Sequence, residues 1–98
     1  MIITFSLSAE RQLEDIRQQS RDHWGQAHAV EYIDGLITAI ERLRTQPEMG
    51  RRRDEFRLNL RSITYRPYTI FYTLLKDEVR ITAIIHGSRD LRARADEP

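Results

Sequence analysis

The chain has 98 residues, of which 40% are hydrophobic and 32% are charged, so it can bury one modest core. It contains no cysteine, which excludes disulfides and thiolate chemistry, and its net charge of +1 does not by itself indicate nucleic-acid binding. The N-terminal residues lack the basic start of a secretory signal, and no stretch approaches the roughly 20 apolar residues of a membrane span. We therefore expect one cytoplasmic domain over residues 1–98, with no membrane contact.

The first half of the chain predicts a strand followed by two helices. Residues 2–6 are β-branched and aromatic, which is typical of a strand, and Ser8 is a suitable N-cap for a helix that closes at Gly25. A second helix is predicted from Ala27 to Arg44, because apolar residues recur there at steps of three and four. These residues are Ala29, Val30, Ile33, Leu36, Ile37, Ile40 and Leu43. The short link at Gly25 predicts an antiparallel helical hairpin.

The second half predicts a loop and then three strands. Residues 45–55 are polar and include a proline, a glycine and a basic run, so we expect a loop there. From about Leu60 to His86 the chain is rich in Ile, Thr, Tyr, Phe and Val, which favours three strands with the middle one central. Lys76 to Glu78 provide a hairpin turn, and the polar residues 87–98 are expected to fray or form a short helical turn. The fold class is α+β, in the order β-α-α-β-β-β, with the hairpin on a mainly antiparallel four-stranded sheet.

Several kinds of chemistry find little support in the residue pattern. His23 and His28 lie five residues apart across a glycine-containing turn and His86 ends a distant strand, which is not the spacing of a metal site. The glycines are scattered rather than grouped into a phosphate-binding loop. We therefore expect no metal and no cofactor.

One group of side chains on the predicted sheet could act on RNA. It consists of Arg61, Tyr65, Arg66, Tyr68, Tyr72, His86 and Arg89. Arginines bind phosphates, tyrosines stack on bases, and a histidine can transfer protons, so RNA cleavage is one interpretation. The other is that the tyrosines pack in the sheet and the arginines cover its edge.

Several segments in order resemble the ParE toxins of the RelE/ParE superfamily, which belong to type II toxin-antitoxin systems. They are LEDIRQQSRDHWGQAHAVEYIDGLITAIERL at 13–43, Pro47 to Gly50, the DEFR at Asp54 to Arg57, IFY at 70–72 and IIHGSRD at 84–90. The resemblance implies a toxin that causes growth arrest and is neutralised by a ParD-like antitoxin, commonly with a ribbon-helix-helix module. DNA would be contacted only indirectly, through that antitoxin.

The resemblance also implies a target. ParE-like members inhibit DNA gyrase by binding it, whereas RelE-like members cleave messenger RNA on the ribosome. The ending at His86, Arg89 and Asp90 matches the ParE side, and the only lysine, Lys76, lies in a predicted turn rather than in a nuclease site. We therefore expect a gyrase inhibitor that is not an enzyme, with a ribosome-dependent endoribonuclease as the alternative.

The candidate residues follow from this resemblance and from the predicted groove along the hairpin. For binding of the target or the antitoxin they are Arg61, Tyr68, Tyr72, His86, Arg89, Asp90, Leu36 and Ile40. For the alternative nuclease they are Arg61, Arg66, Tyr68 and His86. An apolar groove beside a basic sheet edge suits an acidic amphipathic segment that becomes ordered on binding.

Overall fold

The computed structural model describes residues 1–87, and the expectation for the end of the chain lies outside them from residue 88 onward. The elements are β1 (Ile2–Phe5), α1 (Leu7–Glu41), a 3-10 turn (Arg42–Arg44), β2 (Arg51–Arg52), β3 (Leu60–Tyr65), β4 (Tyr68–Leu75) and β5 (Glu78–His86). The strands form one sheet in the order β1-β5-β4-β3-β2, in which β1 pairs parallel to β5 and the other pairs are antiparallel. The α+β class, the mainly antiparallel sheet and the central position of β4 are confirmed.

The start of α1 differs from the prediction. Ser6, not Ser8, is the N-cap: its hydroxyl accepts a hydrogen bond from the amide of Ala9 at 3.0 Å. The Ser6 backbone is extended because it still pairs with β5, with its amide donating to the carbonyl of Ile81 at 2.9 Å. Ser8 already lies within the first turn, where a capping geometry is not available. The helix therefore follows the strand with a single residue between them.

Gly25 divides the 35-residue region α1 into two arms, residues 7–24 and 26–41. Its backbone is non-helical, with φ 82° and ψ 168°, a combination that is close to exclusive to glycine. A straight helix of this length would span about 52 Å, whereas the longest dimension of the molecule is 38 Å. Arg17 of the first arm and Ile37 of the second line the same groove, so the arms fold back on each other. The helical hairpin and its boundary are confirmed.

The sheet has five strands rather than the four that the sequence predicts. The additional strand, β2, lies in the segment expected to be a loop and pairs Arg51 with Ser62 and Arg52 with Arg61. Two exposed arginines carry no apolar alternation, so residue pattern gave no sign of this strand. Pairing here depends on backbone hydrogen bonds to β3, which composition does not reveal.

The sheet buries side chains on both faces. On the helix face, Ile70 and Tyr72 of β4 join a core with Leu36 and Ile40 of α1, while Phe71 points to the other face. That second face holds a smaller cluster of Leu60, Phe71, Ala83 and Ile85, against which Phe56 of the loop before β3 packs. Side chains of β4 thus alternate between the two faces of the sheet. Among residues 1–87, no helix is long and apolar enough to cross a membrane.

Candidate functional site

Aromatic side chains meet where the tip of the helical hairpin approaches one end of the sheet. We call this group the aromatic cluster: Trp24, Tyr32, Tyr65, Tyr68 and His86. The sheet supplies three of them in a row, because Tyr65 pairs with Tyr68 across the β3–β4 hairpin and Tyr68 pairs with His86 across β4 and β5. The hairpin supplies the other two, from either side of Gly25. The cluster is therefore assembled from the two arms of α1 and three strands, β3, β4 and β5.

The rings of the aromatic cluster are in direct contact. Tyr32 is the hub, with ring centroids 5.8 Å from Trp24, 5.2 Å from Tyr65 and 6.4 Å from Tyr68, all at tilted angles. His86 packs edge-on against Tyr68 with a centroid distance of 5.4 Å. Trp24 and His86 are exposed, whereas the three tyrosines are half-buried. A partner could therefore contact the two ends of this cluster.

Two tyrosines of the cluster, Tyr32 and Tyr68, have raised pKa values. Burial, followed by the neighbouring Tyr68 and Tyr65, raises the pKa of Tyr32 to about 12. Burial likewise raises the pKa of Tyr68 above its ordinary value. A phenol with a raised pKa is a hydrogen-bond donor at neutral pH and is poorly suited to act as a general base. The site is therefore better equipped for contact than for proton abstraction by tyrosine.

Arg61 and Tyr72, both predicted to bind a partner, hold the loop before β2, and Arg61 is half-buried there. The Arg61 guanidinium donates to the carbonyls of Glu48 and Gly50 at 3.0 and 2.9 Å. The Tyr72 hydroxyl donates to the carbonyl of Pro47 at 2.8 Å, and its ring has no exposed surface. A side chain enclosed in this way cannot contact a partner while the fold persists. Arg61 also lies opposite Tyr72 in the sheet, four residues along β3 from Tyr65, so the proposed nuclease group is divided.

Leu36 and Ile40, the two helix positions predicted to bind a partner, lie in the core. Their side chains are 0% and 1% exposed and pack toward the sheet. The apolar surface of the same arm is formed by Val30, which is 53% exposed, and by the half-buried Ile37. The 3.6-residue period indicated that this helix has an apolar stripe. It did not distinguish the apolar side chains that pack against the sheet from those that remain exposed.

Val30 and Ile37 line an open groove of 710 Å³ between the two arms of α1. Ala29 and Ile33 contribute further apolar surface from the second arm. The first arm contributes the exposed arginines Arg17 and Arg21. The second arm also places the exposed carboxylate of Asp34 at this groove, so an apolar wall is joined to two arginines on one arm and one acidic residue on the other.

The other predicted residues fall in different places. Arg66 is exposed in the turn between β3 and β4, next to the aromatic cluster. Arg89 and Asp90 lie outside the described residues. Within residues 1–87, no three histidine or acidic side chains come together in a way that could hold a metal ion.

Sequence reasoning missed two members of the aromatic cluster, Trp24 and Tyr32. Both lie on the hairpin, and neither belongs to the sheet motif that drew attention to the other rings. The two residues are eight positions apart with Gly25 between them. Helical periodicity could not predict that they lie together, because the chain changes direction at the glycine. Only the packing of hairpin on sheet brings them to Tyr65 and Tyr68.

Comparisons with known proteins agree on one family. The profile of the ParE toxin of type II toxin-antitoxin systems, parDE, matches residues 3–91. Toxin ParE1 of two Mycobacterium tuberculosis strains is 30% identical over 87 residues, which cover 88% of this chain and 89% of that protein. A chain of the chromosomal ParDE TA system from P. aeruginosa superposes with a TM-score of 0.78 at 17% identity, covering 90% of this chain and 97% of that one. The last comparison bears on the fold alone.

Proposed function

Because the chain belongs to the ParE toxins of type II toxin-antitoxin systems, we propose that it acts in the cytoplasm by binding and inhibiting DNA gyrase. It would do so without a cofactor and without enzymatic activity of its own. The observation that carries this proposal is the exposed His86, which packs on Tyr68 and opens the HGSRD ending that resembles the ParE side of the superfamily. A residue that is exposed and held by a half-buried neighbour can present a fixed contact to a protein target.

The proposed neutralising partner is a ParD-like antitoxin, in which a ribbon-helix-helix module would make the contact with DNA. The groove between the arms of α1 supports this part of the proposal. Val30 and Ile37 offer apolar surface, and Arg17 and Arg21 offer positive charge along one side. An acidic amphipathic segment complements both features, and its ordering on binding would give a tight complex. The open edges of the sheet at β1 and β2 also offer backbone groups to an added strand.

The alternative function, ribosome-dependent cleavage of messenger RNA, is favoured by one observation. Tyr68, His86 and Arg66 lie at the same end of the sheet, where they could meet a phosphate and a 2′-hydroxyl together. Two others weigh against it: Arg61 is engaged by loop carbonyls, and the pKa of Tyr68 is raised. We therefore rank gyrase inhibition first.

A supercoiling assay with purified gyrase tests the proposal. A preparation that arrests growth when expressed without antitoxin should inhibit supercoiling in proportion to its concentration. Primer extension on translated messages from the same cells supplies the comparison. A toxic preparation that leaves supercoiling unchanged and produces new 5′ ends would replace the first function with the second.

Co-expression with the neighbouring small gene tests the antitoxin. The two proteins should co-purify under native conditions and separate only in denaturant. Val30→Glu places a negative charge in the groove at an exposed position, so it should weaken the complex while the toxin remains folded. Val30→Thr is the matched control, because it keeps the shape and adds no charge. Recovery of the two proteins as separate species would contradict this part of the proposal.

A further inference from the structure

Part of the aromatic cluster lines a shallow pocket on the outside of the hairpin tip. The pocket has a volume of 450 Å³ and is bounded by Trp24, His28, Glu31, Tyr32 and Tyr65. The rings of Trp24, Tyr32 and Tyr65 meet at interplanar angles of 57° and 55°. Neither the proposed contact of His86 with gyrase nor the groove for the antitoxin uses this pocket.

The rings that line the pocket are fixed from behind. The Tyr32 hydroxyl donates to the carbonyl of Arg66 at 3.0 Å, and the Tyr65 hydroxyl donates to the carbonyl of Tyr32 at 3.5 Å. Tyr65 also fits directly against Gly35 of α1, where a Cβ would overlap the phenol oxygen. Two tyrosine rings thus hold their orientation before any ligand arrives, which reduces the entropy that binding costs.

Glu31 gives the pocket a negative charge, and His28 of the same helical arm also lines the pocket. Glu31 is exposed, and none of the ion pairs found within residues 1–87 involves it. The same part of the chain does place one guanidinium over aromatic rings, that of Arg53, 4.7 Å from the Phe56 centroid. That contact lies on the opposite face of the sheet. The electron-rich faces of Trp24, Tyr32 and Tyr65 are left without such a partner.

We propose that this pocket binds an arginine side chain presented by a protein partner. A flat guanidinium can lie against the Trp24 and Tyr65 faces and direct its N–H groups at the Glu31 carboxylate. A lysine ammonium carries the same charge but has no flat face to stack on a ring, and a quaternary ammonium can make a cation–π contact but has no N–H group to donate. The site therefore favours arginine among cations.

A side chain of a protein fits the shape of the pocket better than a free small molecule does. Sites for small ligands enclose most of the ligand surface, whereas this pocket is open and borders Trp24, a residue that is 54% exposed. Only the end of a side chain could be covered here. The remaining affinity would come from the protein surface that presents the arginine.

Trp24 makes the test direct, because it is the only tryptophan in the chain and it lines the pocket. The intact protein is titrated with acetyl-arginine-methylamide, with the neutral isostere acetyl-citrulline-methylamide, and with tetramethylammonium chloride, all at constant ionic strength. The arginine derivative should give a saturable change in Trp24 fluorescence in the millimolar range. The other two should bind about fivefold or more weakly. An equal response to citrulline, or to tetramethylammonium, would overturn the assignment to arginine.

A pair of matched variants tests the role of Glu31. Glu31→Gln removes the charge and keeps the shape, so it should weaken binding of the arginine derivative about fivefold. Glu14→Gln changes the net charge equally at an exposed position of the first arm that does not line the pocket, and it should leave binding unchanged. Equal affinities for the Glu31→Gln variant and the unmodified chain would overturn the proposal. The assay contains no gyrase or antitoxin, so its result is independent of the proposed function.

Discussion

The hydroxyl of Tyr72 accepts a hydrogen bond from the amide of Gly50 at 2.9 Å, which joins the centre of the sheet to the loop before β2. The same hydroxyl donates to the carbonyl of Pro47, so one buried oxygen satisfies both ends of a tight turn. Arg61, opposite Tyr72 on β3, binds two further carbonyls of this loop. A segment that is polar and exposed is therefore anchored from within the core.

The Tyr72 contact predicts that Gly50→Ala is destabilising. A Cβ at Gly50 would lie 2.6 Å from the Tyr72 Cε1 atom, and the ring is enclosed on all sides. We expect a loss of about 1–3 kcal/mol in the free energy of unfolding, as for other overpacked sites. Urea denaturation measures it. Met49→Ala, at the exposed neighbouring position, should change the stability by less than about 0.5 kcal/mol, and an equally small effect of Gly50→Ala would contradict the prediction.

Gly25→Ala should be destabilising for a different reason. No side chain lies near its Cβ position, but φ 82° with ψ 168° is accessible almost exclusively to glycine. The expected cost is about 1–3 kcal/mol of backbone strain. Gln26→Ala, one residue later and exposed in the second arm, is the control and should have little effect. Thermal or urea unfolding, followed by circular dichroism, compares the stabilities of the two variants. Equal stabilities would contradict the prediction that alanine strains the backbone at position 25.

Gly35 and Tyr65 should show strong coupling in a double-mutant cycle. Alanine is favoured over glycine inside a helix by about 1 kcal/mol, but here its Cβ would overlap the Tyr65 hydroxyl. We expect Gly35→Ala to be destabilising in the native chain and to become nearly neutral when combined with Tyr65→Phe. The coupling energy should reach about 1–2 kcal/mol. If urea denaturation shows that the free-energy changes of the two substitutions simply add, the Tyr65 hydroxyl does not prevent a side chain at position 35.

Alkaline pH should weaken the fold through Tyr32. Its pKa is raised from 10.0 to about 12 by burial and by the nearby Tyr68 and Tyr65. Between these values the unfolded chain loses the phenolic proton and the folded chain retains it, so the free energy of unfolding falls as pH rises from 10 to 12. Below pH 10 the contribution is fully present. The Tyr32→Phe variant should show a shallower decline of melting temperature over this interval, and an identical slope would sink the prediction.

Substitutions at His86 and Arg61 should affect different properties: gyrase inhibition for His86 and the free energy of unfolding for Arg61. His86→Gln changes an exposed side chain, so it should reduce gyrase inhibition by about tenfold while leaving stability within about 0.5 kcal/mol. Arg61→Ala removes two hydrogen bonds to loop carbonyls and should cost about 1.5–3 kcal/mol of stability. His23→Gln, at another exposed histidine, is the control for inhibition. Full inhibition by the His86→Gln variant would remove that residue from the proposed contact with gyrase.

Local sequence accounts for most of the fold. Periodicity located the second arm of α1 and the three long strands, and Gly25 marked the turn of the hairpin. Local sequence did not predict β2, where pairing is made by backbone groups. It also placed the first N-cap wrongly, because Ser6 serves both the strand and the helix. Both errors occur where a residue is placed by a neighbour that is distant along the chain.

The candidate site was predicted less completely. His86, Tyr68 and Arg66 do lie together at one end of the sheet, as their strand positions allowed. Tyr72, Leu36 and Ile40 proved to be core residues, because residue type and period do not tell which side of an element is covered. Trp24 and Tyr32 entered the site only through packing between the hairpin and the sheet.

The sequence by itself determined the order of the helices and strands other than β2, the hairpin and the resemblance to ParE toxins, since these depend on residues near one another in the chain. Tertiary structure alone decided which side chains remain available to a partner. Burial is set by contacts between distant segments: Tyr72 is enclosed by a loop 22 residues earlier, while Glu31 remains open beside rings from one strand and two helical arms. Exposure therefore cannot be read from local pattern, and it is exposure that defines the surfaces proposed here for gyrase, antitoxin and arginine.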